Sequence, residues 1–345
     1  MDPSLLIDHN TKKAIKSLNL LNSIGLSPSG FNRLLSARIY SQFIRPQMEY
    51  RLAIQILNTK THTKVLTKTQ TTCLRRIYGS SSKTSSSAVM QHLVDLPTMA
   101  SRVSVLQAKF LNRIRWLPDD ALLTQLLPQL TITPHKTQYQ QLKKTKLWKS
   151  LPSQTEPYDK KQLKIAINNM YDTALTNHRN GNKAKLLRAC RDTRGVDPIV
   201  FLPMTYRQRS RLIRWRLGWM PNGRPDVTCN NCNNQNHLSR QHVIYCLNAH
   251  IRLKVPYVVL DPISFKLNAL PKSRPHNPNK RRYWINFWNQ LTQLMFDIDA
   301  LCHGNDIFEP DPIINKTTNN DFVLWLEHRP IPQPVDTIAP PPSTL

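Results

Sequence analysis

Apolar residues recur at three- and four-residue intervals through most of the chain, the spacing that gathers them on one face of an α-helix. In RLLSARIYSQFIRPQMEY, Leu35, Ile39 and Phe43 repeat every four residues and predict one inward face. Pro46 then ends or kinks that helix, because it has no N–H to donate. A second periodic run spans Val65 to Tyr78 with Leu66, Cys73, Leu74 and Ile77 inward, and Gly79 with the low-complexity run Ser80 to Ser87 closes it as a flexible loop. AVMQHLVDLP reads as a short helix stopped before Pro97. Thr98 predicts the N-cap of a longer helix through Ile114, whose buried side carries Met99, Val103, Leu106, Phe110 and Ile114. Nothing in this stretch asks for strands.

From Thr131 to Pro157 the composition turns polar and basic, as in a linker or a solvated surface segment. Helical spacing returns between Pro157 and His178 at Leu163, Ala166, Ile167, Met170 and Ala174, with Gly181 just past its end. Pro198 and Pro203 punctuate the chain before the basic segment Tyr206 to Trp219. The last helix, Arg281 to Leu301, is expected to bury Trp284, Trp288, Leu291, Met295 and Ile298. After Arg329 the proline-rich tail cannot offset its ordering entropy and is expected to be disordered. The fold class expected is mainly α, divided as 1–130, a linker 131–156, a helical connector 157–200, an Arg/Trp-rich segment with its downstream cysteines 201–260, a helical region 261–328 and the tail 329–345.

Composition narrows what such a chain can do. Its 345 residues carry 48 Lys and Arg against 21 Asp and Glu, a net charge of +27, and 40% of them are hydrophobic, enough for a core in two or three domains. A field of that sign draws polyanions, so RNA or DNA is the expected partner; a protein that is merely basic is the plain alternative. With only 8 glycines, phosphate cradles are disfavoured. Gly25 to Gly30 has P-loop spacing, but Phe31 and Asn32 follow; Gly218 to Gly223 is followed by Arg224 and Pro225; no G-x-G-x-x-G occurs. No secretory leader and no apolar run of about 18 residues is seen, and no basic amphipathic helix with a bulky apolar face, so no membrane partner is expected. An intracellular location, nuclear or cytoplasmic, follows, with reduced cysteines. Cys73, Cys190 and Cys302 stand alone and read as small buried hydrophobes.

The other three cysteines cluster in TCNNCNNQNHLSRQHVIYC. Cys229 and Cys232 have the spacing with which a tight turn delivers two thiolates to one metal ion. Ser239 can cap a helix beginning at Arg240, on which His242 and Cys246 share a face. Zinc takes four N or S ligands in a tetrahedron, which makes Cys229, Cys232, His242 and Cys246 the preferred set. A rival set replaces Cys246 by His237, giving C-x2-C-x4-H-x4-H, and leaves a thiol unused beside the metal. A closed four-ligand site has no open position for water, so the zinc is read as structural. Just upstream, Arg207, Arg209, Arg211, Arg214 and Arg216 are interleaved with Trp215 and Trp219. Arginine forks bind phosphates and a tryptophan such as Trp219 can stack on an unpaired base. The alternative is a solvated helix face whose tryptophans lie in the core.

Two-metal phosphoryl chemistry needs clustered carboxylates. The adjacent pair Asp119-Asp120 follows a proline and precedes Ala-Leu-Leu, the pattern of a helix start whose acids favour the dipole. Glu309-Pro310-Asp311 with Lys316 only faintly matches a restriction-like nuclease motif. Catalysis by the chain alone is therefore not expected.

The segments YSQFIRPQMEY, QTTCLRRIYG and HLVDLPTMASRVSVLQAKFLNRI, in that order, resemble the region just after the polymerase palm in non-LTR (LINE-like) retrotransposon reverse transcriptases. RWRLGWMP followed by CNNCNNQNHLSRQHVIYC resembles the carboxy-terminal cysteine-histidine motif of the same polyproteins. The resemblance covers about residues 10–330. It implies a helical thumb over 1–130 and a zinc-binding, template-handling module over 201–260. The family's palm carries an aromatic-x-Asp-Asp hairpin; at Asp119-Asp120, Leu117 takes the aromatic place in a helical context. The resemblance thus implies a nucleic-acid-binding remnant without the polymerase site. Alternatives are a nuclease fragment or a docking module for a separately encoded palm.

Overall fold

The structure, a computed structural model, describes residues 3–28, 30–55, 60–80, 86–132, 137–152, 156–220, 229, 231–232, 238–303 and 321–329. It is mainly helical, and no strand occurs among the described residues. The chain divides into two compact units, the first comprising 1–201 with 216–218, the second 202–215 with 219–345.

The first unit holds α1 (Pro3–Ser23), α2 (Arg33–Ile39), a π-helical turn (Tyr40–Ile44), α3 (Arg45–Glu49), α4 (Lys60–Tyr78), α5 (Ser87–Leu93), α6 (Met99–Ile114), α7 (Leu122–Ile132), α8 (Gln138–Leu142), α9 (Lys146–Lys149), α10 (Lys160–Asn180), α11 (Lys185–Arg188) and α12 (Pro198–Phe201). On α4 the inward positions Leu66, Cys73, Leu74 and Ile77 are fully buried, as the spacing predicts. The stripe Leu35, Ile39, Phe43 is not the core face: Leu35 is 40% and Phe43 62% exposed. Arg33, Ser36, Ala37, Tyr40, Ile44 and Met48 are buried instead. That stripe is partly polar, with Arg33 Nη1 donating to the Pro28 carbonyl at 2.6 Å. The wider π turn just ahead of α3 also takes up the missing N–H of Pro46, so the chain stays helical through it.

Thr98 caps α6 by accepting from the Ser101 N–H at 3.2 Å. Met99, Val103 and Ile114 are buried there, whereas Leu106 and Phe110 are half-buried and Val105, Ala108 and Leu111 turn to a second core. That core corrects the reading of 131–156 as a linker: Leu142, Leu147, Trp148 and Leu151 pack with Tyr158 and Leu163 against α6. Burial of each such large side chain contributes about 1.5–3 kcal/mol, enough to offset the ~1–2 kcal/mol that fixing a residue's backbone costs. Asp119 and Asp120 lie exposed in the turn ahead of α7. The serine stretch 81–85 lies outside the described residues.

Gly79 ends α4 with φ +72°, and a Cβ there would stand 2.5 Å from the Pro28 ring. Left-handed backbone costs a side chain about 1–2 kcal/mol before any clash. Gly79→Ala is therefore expected to lower stability by at least that amount, read as a lower denaturant midpoint at unchanged slope; an unchanged midpoint would contradict it.

The second unit is built on α17 (Pro278–His303), preceded by α13 (Tyr206–Arg216), α14 (Arg240–Cys246), α15 (Ala249–Arg252) and α16 (Pro262–Asn268), and followed by α18 (Asp321–Leu326). Along α17 the expected Trp284, Trp288, Leu291, Met295 and Ile298 are all buried. Phe322 of α18 lies against Trp288 with ring centroids 4.4 Å apart. No described helix is long and apolar enough to cross a membrane.

Candidate metal centre

Ser239 fixes where α14 begins, its hydroxyl accepting from the His242 N–H at 3.1 Å. Val243 and Ile244 are buried on one side of this short helix. His242 and Cys246, one turn apart, share the other. Arg240, in the first turn, pins the helix: its guanidinium lies 3.9 Å over the Trp215 ring, donates to the Trp215 carbonyl at 2.8 Å, and pairs with Asp261 at 2.7 Å. Sequence spacing gave no sign of this anchor, because its partners are 21 and 25 residues away.

Cys229, Cys232, His242 and Cys246 bring three sulfurs and one ring nitrogen within 4.8 Å of one another. Cys229 Sγ and Cys246 Sγ are 3.7 Å apart, and Cys232 Sγ is 3.5 Å from His242 Nε2. A disulfide would need about 2.05 Å. With Zn–S near 2.3 Å and Zn–N near 2.0–2.1 Å, a tetrahedron has edges of about 3.8 Å between sulfurs and about 3.5 Å between sulfur and nitrogen. The donor set and both distances therefore fit a tetrahedral ion of the zinc type. His237, the rival ligand, lies outside the described residues, as do Glu309, Asp311 and Lys316 of the nuclease reading.

The site favours thiolate at Cys229. Burial pushes the Cys229 thiol up, but hydrogen bonds with His242, the Asn231 backbone, Cys246 and Cys232 outweigh it and bring it down to about 7. Cys246 is held above the usual thiol range by burial and by its closeness to Cys229, against the pull of the Asn231 amide, which donates to its sulfur at 3.3 Å. A cation among these sulfurs relieves their mutual repulsion. Asn231 is a contact the sequence reading did not single out, although it stands inside the Cys-x2-Cys turn.

The arginines of α13 are placed differently from one another. Arg211 and Arg214 both reach Asp299 of α17 at 2.9 Å, and the Arg211 side chain is only 4% exposed. Burial pushes the Asp299 carboxyl up, yet its hydrogen bonds from Arg214 and Arg211 win and hold it below the usual carboxylate range. Arg216, fully buried, faces Asp197 at 3.3 Å and donates to the Ala189 carbonyl at 3.0 Å. Arg209 donates to the Leu202 carbonyl at 2.8 Å, and Arg207 is half-buried. Trp215 is buried and donates to Ser264, while Trp219 is half-buried. Three of the five arginines thus direct their charge at internal carboxylates. No protein family, curated protein or solved structure matches the chain.

Proposed function

We propose that the chain is a nucleic-acid-binding protein whose second unit is held together by a structural zinc ion on Cys229, Cys232, His242 and Cys246. The observation that carries the reading is the convergence of those four ligand atoms within 4.8 Å. The net charge of +27 supports a polyanionic partner. All four positions around the ion are filled by side chains, so the metal stabilises and does not catalyse. The order of segments described above supports the further reading that the protein corresponds to the part of a non-LTR reverse transcriptase that follows the palm.

The test is fluorescence anisotropy of the purified, zinc-loaded chain with labelled single-stranded and duplex RNA and DNA over a salt series. Binding is expected to weaken steeply with salt, log affinity falling by about 0.7–0.9 per phosphate contact for each log unit of salt. With magnesium or manganese added, neither primer extension nor cleavage is expected. Salt-insensitive binding, or none, would remove the reading; cleavage abolished by Asp311→Ala would replace it with the nuclease alternative.

A further inference from the structure

In the second unit most of the described carboxylates already hold arginines: Asp299 holds Arg211 and Arg214, Asp261 holds Arg240, and Asp297 holds Arg252. Between Pro262 and Phe296 the chain has six Lys and Arg and no Asp or Glu. One of the six, Lys266, turns inward and donates to the Tyr283 hydroxyl at 2.6 Å. Others gather around the start of α17. Arg274 lies 5.3 Å from the Trp325 ring and donates from Nη1 to His328 Nδ1 at 2.8 Å. A guanidinium has no acceptor, so that nitrogen is unprotonated and His328 is neutral. Arg274 foremost, then loss of hydration, Arg281 and His276 hold the imidazole below its ordinary value.

Lys280 and Arg281 stand in the first turn of α17, with Arg282 beside them, at the end of a helix where positive charge is unfavourable. Arg274, Lys280, Arg281 and Arg282 meet no carboxylate among the described residues, and Glu327, next to His328, pairs with Arg329 at 3.2 Å. Among the described residues no carboxylate balances these charges, whereas a polyanion relieves their repulsion.

We propose that Arg274, His328 and Arg281, with Lys280 and Arg282 on either side of Arg281 in the chain, form a binding site for the phosphodiester backbone of a nucleic acid. The proposal rests on the nucleic-acid reading above and gives it a place on the molecule. Arg274 is preorganised by Trp325 and His328. When a phosphate arrives, its oxygens accept from the Arg274 guanidinium in place of the imidazole. His328 takes one proton from solvent at Nδ1 and becomes a second donor to the phosphate. Binding then takes up about one proton, so affinity rises as pH falls through the histidine range, by at most about tenfold per pH unit.

The experiment is anisotropy of a labelled oligothymidylate with the zinc-loaded full chain, over salt and between about pH 7.5 and about pH 5.5. Lys280→Gln with Arg282→Gln is expected to lower the salt slope by about 1.4–1.8. His328→Gln is expected to remove the gain in affinity at low pH. Variants with wild-type helical signal and zinc content that keep the wild-type slope and pH response would overturn the site and leave nucleic-acid binding standing. Wild-type protein that binds no oligonucleotide, whether or not it binds phosphatidylserine vesicles, would overturn both.

Discussion

Removing the metal with a chelator, or replacing Cys232 by Ser, is expected to abolish the folded form of the segment around Cys229 to Cys246. Structural zinc supplies an apparent binding free energy of about 10–16 kcal/mol in small modules, comparable with the ~5–15 kcal/mol total stability of a whole domain. Elemental analysis of natively purified protein should find about one zinc per chain, and thermal unfolding should move down with chelator. Protein without metal, and with a melt indifferent to chelator, would end the assignment. Because ligands must lose protons to bind, and Cys246 is held above the usual thiol range while Cys229 is brought down to about 7, zinc affinity should fall steadily as pH drops through neutrality and below. Cys246→Ser should lose more metal than His237→Ala; the opposite order would favour the rival ligand set.

Asp299→Ala is expected to cost about 3–5 kcal/mol, because it removes the carboxylate that the buried Arg211 and its neighbour Arg214 both reach. The sign of the pH effect follows from the carboxyl being held below its usual range. The stabilisation is present above the unfolded carboxyl's value of about 3.9 and is lost as pH falls through the lower folded value. Denaturant melts of wild type and Asp299→Asn at neutral and acid pH would check it, the gap between them closing on acidification. A variant as stable as wild type at neutral pH would show that the pair contributes nothing.

Local signals were readable in the sequence, and distant ones were not. Thr98 and Ser239 cap helices because a hydroxyl three residues before an N–H is a short-range device, and the α17 stripe is long enough for its period to show. The stripe from Leu35 to Phe43 misled because the competing face buries Arg33, Ser36 and Tyr40, polar residues that a count of apolar positions passes over. Between 131 and 156 the helices are four or five residues long, too short to display a period, and Leu142, Leu147 and Trp148 are hidden among Lys and Gln. The gathering of Cys229, Cys232, His242 and Cys246 was foreseeable from spacing, with His237 left as a rival to Cys246. The orientation of the arginines was not, because Asp299 stands 88 residues beyond Arg211.

The cap at Ser239 has an implication for how such a site can drift over generations. Where the helix begins sets the azimuth of everything on it, since each residue advances about 100°. A cap displaced by one position would swing His242 and Cys246 a quarter-turn away from Cys229 and Cys232, although every ligand was still present. Insertions ahead of Ser239 leave that azimuth untouched. The interval from the capping hydroxyl to His242 and Cys246 is thus the spacing that keeps those two side chains turned toward Cys229 and Cys232.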